Sequence, residues 1–207
     1  MKKKNIIILL LLMMGIVFTI VSGEVKKIKA EQDERFQRKQ FVVTMQELST
    51  ILPYKSKYMG DNSNTINLFY HLPLGVNPVK YQMYPEELTL ELCYRTTFAE
   101  AGIKNLEYVA NESVGKFDAE ELGIRMTTQA LIYNSTAAFA LIDNLQKLIF
   151  RFSDGSYTIR RHTIESEFAD FYPILNEENW SRFQKTLGKN EKMQEISLRL
   201  LIKEEGN

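Results

Sequence analysis

The stretch Lys147–His162 alternates apolar and polar residues on both sides of Ser153-Asp154-Gly155-Ser156, and this pattern constrains the fold more than any other. Asp-Gly between two alternating runs is a preferred chemistry for a tight β-hairpin turn. Pairing across that turn sets Phe152 opposite Tyr157, Phe150 opposite Ile159 and Leu148 opposite Arg161. Because side chains alternate with a period of two, these share one largely apolar face. The opposite face then holds Lys147, Ile149, Arg151, Thr158, Arg160 and His162. A hairpin with one greasy face needs further layers, so the rest of the chain must supply strands beside it and helices to cover it.

Those elements are readable. Val79, Tyr81 and Met83 alternate with Lys80 and Gln82, and Leu88, Leu90, Leu92 and Tyr94 alternate with Thr89, Glu91, Cys93 and Arg95. Tyr84-Pro85-Glu86-Glu87 suits the connection between them. Helical spacing and stop signals predict helices over Phe41–Leu52, ended by Pro53, and from Asn64 to Leu72, ended by Pro73. Asn176 is an N-cap for a helix that carries Trp180, Phe183 and Leu187 on one stripe and closes at Gly188. Alternation suggests strands over Ile124–Tyr133 and Ile196–Lys203. Ser135-Thr136 caps a helix through AAFALID, Glu165–Phe171 reads as a short helical turn, and Thr96–Gly123 reads as irregular and acidic. Without regular βαβ alternation, the expected fold is α+β: a mostly antiparallel sheet with helices packed on one face, preceded by an N-terminal membrane helix.

That membrane helix is read from Ile6–Val21, an uncharged apolar run behind Lys2-Lys3-Lys4. The lysines hold their end in the cytoplasm and send the remainder across. The run exceeds an ordinary signal-peptide core, and Val21-Ser22-Gly23 is a weak cleavage site, so an uncleaved anchor is favoured over a cleaved signal. Residues 24–40 are charged and poor in apolar side chains, a solvated stalk. Residues 41–207 are long enough for one α+β domain with its own core. The expected location is the cell membrane, single-pass, with the domain outside the cytoplasm, or secreted if the signal is cut.

Charge narrows the chemistry. The whole chain balances 26 basic against 26 acidic groups, which is not the footprint of a nucleic-acid binder. A single Cys and two His exclude a disulfide framework and the usual zinc sites. A nucleophilic centre would have to pair Cys93 with His71 or His162, and no signature surrounds them. Glu86-Glu87, Asp118-Glu120-Glu121 and Glu204-Glu205 lack calcium-loop spacing. No catalytic residue, metal site or cofactor is therefore expected. The candidate contact residues are Lys147, Arg151, Arg160 and His162 on the basic hairpin face, with Asp61 and Asn62 in the turn Gly60-Asp61-Asn62-Ser63. The first four would face an anionic ligand or a protein partner; the last two also explain themselves as a helix cap.

Tyr58-Met59-Gly60-Asp61-Asn62-Ser63, Leu72-Pro73-Leu74, Tyr133-Asn134 leading into STAAFALIDN, Ile149-Phe150-Arg151-Phe152 and Tyr157-Thr158-Ile159-Arg160-Arg161 together resemble the bacterial domain-of-unknown-function family 4825. The resemblance covers residues 40–162. It implies a Gram-positive source and a domain behind an export signal or membrane segment. Similar domains are attached to membrane metallopeptidases of the antibiotic-sensor type. The resemblance supplies no catalytic residue. This chain lacks both the lipobox cysteine of some members and the His-Glu-x-x-His of the peptidase. The function expected is a membrane-tethered extracytoplasmic binding or sensing domain without catalysis, held by residues 6–21. The alternatives are a small cell-surface hydrolase using carboxylates and an accessory subunit of a membrane complex.

Overall fold

A computed structural model describes residues 19, 21–32, 42–75, 78–109 and 119–204. The chain divides into two compact units, residues 1–38 and 39–207. In the first, residues 21–32 are helical and almost wholly exposed. Most of the apolar run Ile6–Val21 lies outside the described residues, as do residues 33–40 of the expected stalk. Among the described residues no helix is long and apolar enough to cross a membrane.

The second unit is α+β. Its sheet has five strands in sequential order, β1 (Pro78–Tyr84), β2 (Thr89–Tyr94), β3 (Lys147–Phe152), β4 (Gly155–Arg160) and β5 (Ile202–Glu204). The β1–β2, β3–β4 and β4–β5 pairs are antiparallel, but β2 and β3 run parallel. The expected mostly antiparallel sheet is thus corrected to a mixed one. The reason is the connection: a parallel pair needs a crossover, and residues 95–146 supply it with two helices.

Those helices are α3 (Phe98–Val109) and α4 (Ala119–Leu141). The stretch expected to be irregular opens with a reciprocal cap. Thr97 N–H donates to Glu100 Oε2 at 2.9 Å, and Glu100 N–H donates to Thr97 Oγ1 at 3.2 Å, satisfying two N-terminal amides at once. Gly102 and Gly123 let α3 and α4 touch: a Cβ on Gly102 would overlap the Gly123 carbonyl, and one on Gly123 would overlap the Ala99 carbonyl. Thr127 Oγ1 donates to Phe98 O at 2.7 Å across the same crossing.

The strand expected over Ile124–Tyr133 is therefore helical. Every residue from Ala130 to Ile142 is buried. From Ala130 onward the helix has no polar face, whereas Ile124 and Arg125 are exposed, so the expected strand straddles the change from surface to core and carries no uniform 3.6-residue pattern. Two of its polar side chains are bonded: Asn134 Nδ2 donates to Pro73 O at 2.6 Å, 61 residues away in sequence, and Thr136 Oγ1 to Ile132 O at 2.8 Å within the helix.

Short helices complete the unit. The helix expected over Phe41–Leu52 is broken into a 3₁₀ turn (Val43–Met45), α1 (Leu48–Ile51) and a second 3₁₀ turn (Leu52–Tyr54). The break falls at Gln46, whose carbonyl accepts Trp180 Nε1 at 3.2 Å and Gln184 Nε2 at 2.8 Å instead of a helical amide. The first 3₁₀ turn, α1 and the second 3₁₀ turn are followed by α2 (Asn62–Tyr70), and the C-terminal third carries α5 (Arg161–Glu167), α6 (Glu177–Leu187) and α7 (Asn190–Leu200). As expected, Asn176 caps α6 by accepting Asn179 N–H at 2.9 Å, and Trp180, Phe183 and Leu187 are buried. The strand expected over Ile196–Lys203 is mostly α7. Met193, Ile196 and Leu200 are its buried stripe, whereas Leu198 is 87% exposed.

The hairpin is present with a different register. Phe152 pairs Gly155, Phe150 pairs Tyr157 and Leu148 pairs Ile159. The turn is Ser153-Asp154, one residue earlier than the Asp-Gly expected, because Asp154 Oδ1 accepts Phe98 N–H at 2.9 Å and is held at the start of α3. Gly155 takes φ 150, a region suited to glycine. The shift moves each pairing by two positions, so the faces survive. Phe150, Phe152 and Ile159 are buried and Tyr157 is half-buried. Arg161 does not sit opposite Leu148: β4 ends at Arg160, and the Arg161 guanidinium donates to Leu145 O at 2.7 Å and Ile142 O at 2.5 Å, beyond the end of α4.

Candidate anion-binding sheet face

One face of the sheet carries Tyr81, Met83, Leu90, Leu92, Tyr94, Leu148, Phe150, Phe152 and Ile159 into the core. Strand alternation sends the intervening residues to the other face. Register places them in rows: Lys80 beside Cys93, Cys93 beside Arg151, Arg151 beside Ser156, and Ser156 beside Glu204 of β5, which ends that row with an acidic residue. Two residues along lie Gln82, Glu91, Ile149 and Thr158. The last row is Tyr84, Thr89, Lys147 and Arg160. Lys80, Arg151 and Arg160 are exposed, and Lys147 is half-buried.

Glu91 lies beneath them, 7% exposed. A buried carboxylate is costly unless its oxygens are satisfied. Here Oε1 accepts Arg151 Nε at 2.7 Å and the Cys93 thiol at 3.3 Å, and Oε2 accepts the Tyr84 hydroxyl at 3.1 Å. The Arg151 hydrogen bond holds the Glu91 carboxyl below the ordinary range, against the opposing effect of burial. Burial, then the Glu91 carboxylate, pushes the Cys93 thiol up. Tyr84 is pushed up by the same causes in the same order. The cluster therefore holds a fixed carboxylate, a protonated thiol, a protonated phenol and a guanidinium. It has no group poised to exchange a proton near neutral pH; its effect is to position Arg151.

The structure brings together three of the candidate residues, Lys147, Arg151 and Arg160. Lys147 and Arg160 pair directly across β3–β4, and the like-charge contact is relieved by Glu87, whose Oε2 lies 3.3 Å from Lys147 Nζ. His162 falls in α5 beyond the end of β4, so it leaves the sheet. Asp61 and Asn62 lie at the start of α2, where Asp61 Oδ1 accepts Asn64 N–H at 3.2 Å, as a helix cap does. Lys80 and Glu91 join the site without having been singled out. Their alternation in β1 and β2 was visible, but the adjacency of β2 to β3 was not.

The Cys–His pairing considered for nucleophilic catalysis is not assembled. Cys93 bonds Glu91, while His71 Nδ1 lies 2.8 Å from Asn67 O and its ring packs on Tyr54 at 4.9 Å. Among the described residues no three His, Cys, Asp or Glu side chains group as metal ligands would.

A second feature is an open groove of about 380 Å³ between α4, α7 and the hairpin, lined by Phe98, Ile124, Thr128, Tyr157, Ser197 and Leu198. Its rim exposes Ile124 and Leu198.

The chain matches the family described as "Domain of unknown function (DUF4825)" over residues 51–162. That match spans more than half of the sequence, and the chain belongs to this family. It takes in α2, the first four strands, both crossover helices and the Glu91–Arg151 pair. No curated protein and no solved structure matches the chain.

Proposed function

We propose that this chain is a membrane-tethered extracytoplasmic binding or sensing domain without catalysis of its own, and that the basic sheet face around Arg151 is its contact surface. The observation that carries the reading is the Glu91–Arg151 pair. A carboxylate placed beneath an arginine, and kept ionised by it, aims the guanidinium outward rather than performing acid–base work. A carboxylate hydrolase needs an acid whose pKa is raised towards neutrality; Glu91 is pushed the other way. Tethering rests on Lys2-Lys3-Lys4 followed by Ile6–Val21, which orients the chain with residues 24–207 outside. Protease added to intact protoplasts should digest the domain, and full protection overturns the topology. Charge reversal of Arg151 and Arg160 to Glu should weaken an anionic or partner contact made by this face while leaving the fold in place.

The exposed Leu198 and Ile124 at the α4–α7 groove favour a second reading, an accessory subunit that covers this groove with a neighbour in a membrane complex.

A further inference from the structure

The binding reading leaves the ligand class open; resting on that reading, we infer that the basic sheet face takes an extended acidic segment of a partner protein, with carboxylates four residues apart.

Arg151 is the first anchor. A guanidinium has five N–H donors in a rigid fork. Glu91 takes Nε, and no other acceptor for Arg151 exists among the described residues, while its side chain is 55% exposed. The two terminal amino groups are thus presented outward by a buried counter-charge, the geometry that binds a carboxylate through two parallel hydrogen bonds. Tying down Nε removes rotamer freedom before the ligand arrives, which lowers the entropic cost of binding.

Arg160 is the second anchor. It is exposed at the end of β4, and no side-chain partner for it exists among the described residues. Its neighbour Lys147 is already engaged by Glu87. Arg151 and Lys147 are four residues apart on β3, and Arg160 pairs with Lys147. At 3.3 Å per residue, the two cationic rows lie about 13 Å apart. Lys80 lies two strands from Arg151 in the same row, about 10 Å away.

This spacing selects the ligand. A phosphate or a lipid headgroup calls for cations converging on one point. Here they stand in rows about 13 Å apart along the strands, and the row between them offers half-buried Gln82 and Ile149, an amide and an apolar side chain. An extended peptide laid along β3 matches this order. Its residue i meets Arg151, residue i+4 meets Arg160, and residue i+2 rests a small or apolar side chain on half-buried Ile149.

The test uses the full-length chain in neutral detergent and a fluorescent decapeptide with Glu at positions 3 and 7 in a Thr/Val background. Its Gln twin, inorganic phosphate and vesicles containing anionic lipid are the comparison probes. The Glu peptide should bind, weaken steeply with added salt, and lose at least tenfold in affinity with Arg151→Gln and with Arg160→Gln. Lys57→Gln, another exposed lysine, should change nothing. Glu91→Gln should weaken the peptide several-fold by freeing Arg151. Thermal unfolding confirms that each variant is folded. Equal binding of the Glu and Gln peptides, no binding of either, or Arg151-dependent binding of vesicles or phosphate in place of the peptide overturns the proposal. A photo-crosslinker at half-buried Ile149 in intact cells separates the two levels. If the peptide fails but the Arg151→Glu/Arg160→Glu variant still loses its crosslinks, the surface is right and the acidic peptide is wrong. If the crosslinks persist, both readings fall.

Discussion

Arg151 Nε donates to Glu91 Oε1 across 2.7 Å, joining neighbouring strands that run parallel. The two partners are unequally placed: Glu91 is buried and Arg151 is more than half exposed. Removing Arg151 strands a buried carboxylate, whereas removing the Glu91 charge leaves an arginine that water can solvate. Arg151→Ala should therefore cost about 1–2 kcal/mol and Glu91→Gln less, whereas an equally buried pair would give equal costs. Urea melts of both variants measure the order.

The same pair sets an acid limb. A carboxyl whose folded pKa lies below its unfolded value stabilises the fold above the unfolded pKa, about 4.3 for Glu, and the stabilisation is lost as pH falls through the folded value. Wild-type stability should thus decline below about pH 4.5 more steeply than that of Glu91→Gln. Parallel acid titrations of the two proteins would refute this.

The α3–α4 crossing tolerates no side chain at its closest point. Gly102→Ala and Gly123→Ala would each drive a Cβ into a backbone carbonyl that cannot swing away. Each should cost about 1–3 kcal/mol or more. Gly60→Ala, which meets nothing within 4 Å, should stay within about 0.5 kcal/mol of wild type.

Phe150 is fully buried on β3. Phe150→Ala should cost about 3–5 kcal/mol, read from the shift of the denaturation midpoint.

Cys93 should alkylate slowly at neutral pH, because its thiol donates to Glu91 and its ionisation is disfavoured. Cys93→Ser, His71→Ala and His162→Ala should each leave function intact in a protein that folds. Loss of function in any of them would put the hydrolase alternative ahead.

The strands and their faces were readable because alternation survives even a misplaced turn. Phe150 and Arg151 fell on the correct sides although the hairpin pairing moved by two residues. What could not be read was long-range. Nothing local links Glu91 to Arg151, 60 residues on, so half of the basic face went unassembled. The first half of α4 was misread as a strand although Ile124 and Arg125 are exposed, whereas its second half, buried on every side through AAFALID, was read as helix from its strong helix formers. Thr97-x-x-Glu100 was a local signal, and reading it as a capping box would have opened α3 at the right place. Leu198 misled in its own way: apolar alternation implied an inward strand residue, and the helix turns it outward.

The parallel β2–β3 junction also governs how the molecule comes into being. The central pair closes only after residues 95–146 have been made and folded over the sheet, so the two outer hairpins can form early while the middle of the sheet waits. Neither hairpin alone contains both Glu91 and Arg151. A nascent, truncated or partly unfolded chain displays lysines and arginines but not their spacing. Recognition by this surface would therefore be restricted to chains that have completed the crossover.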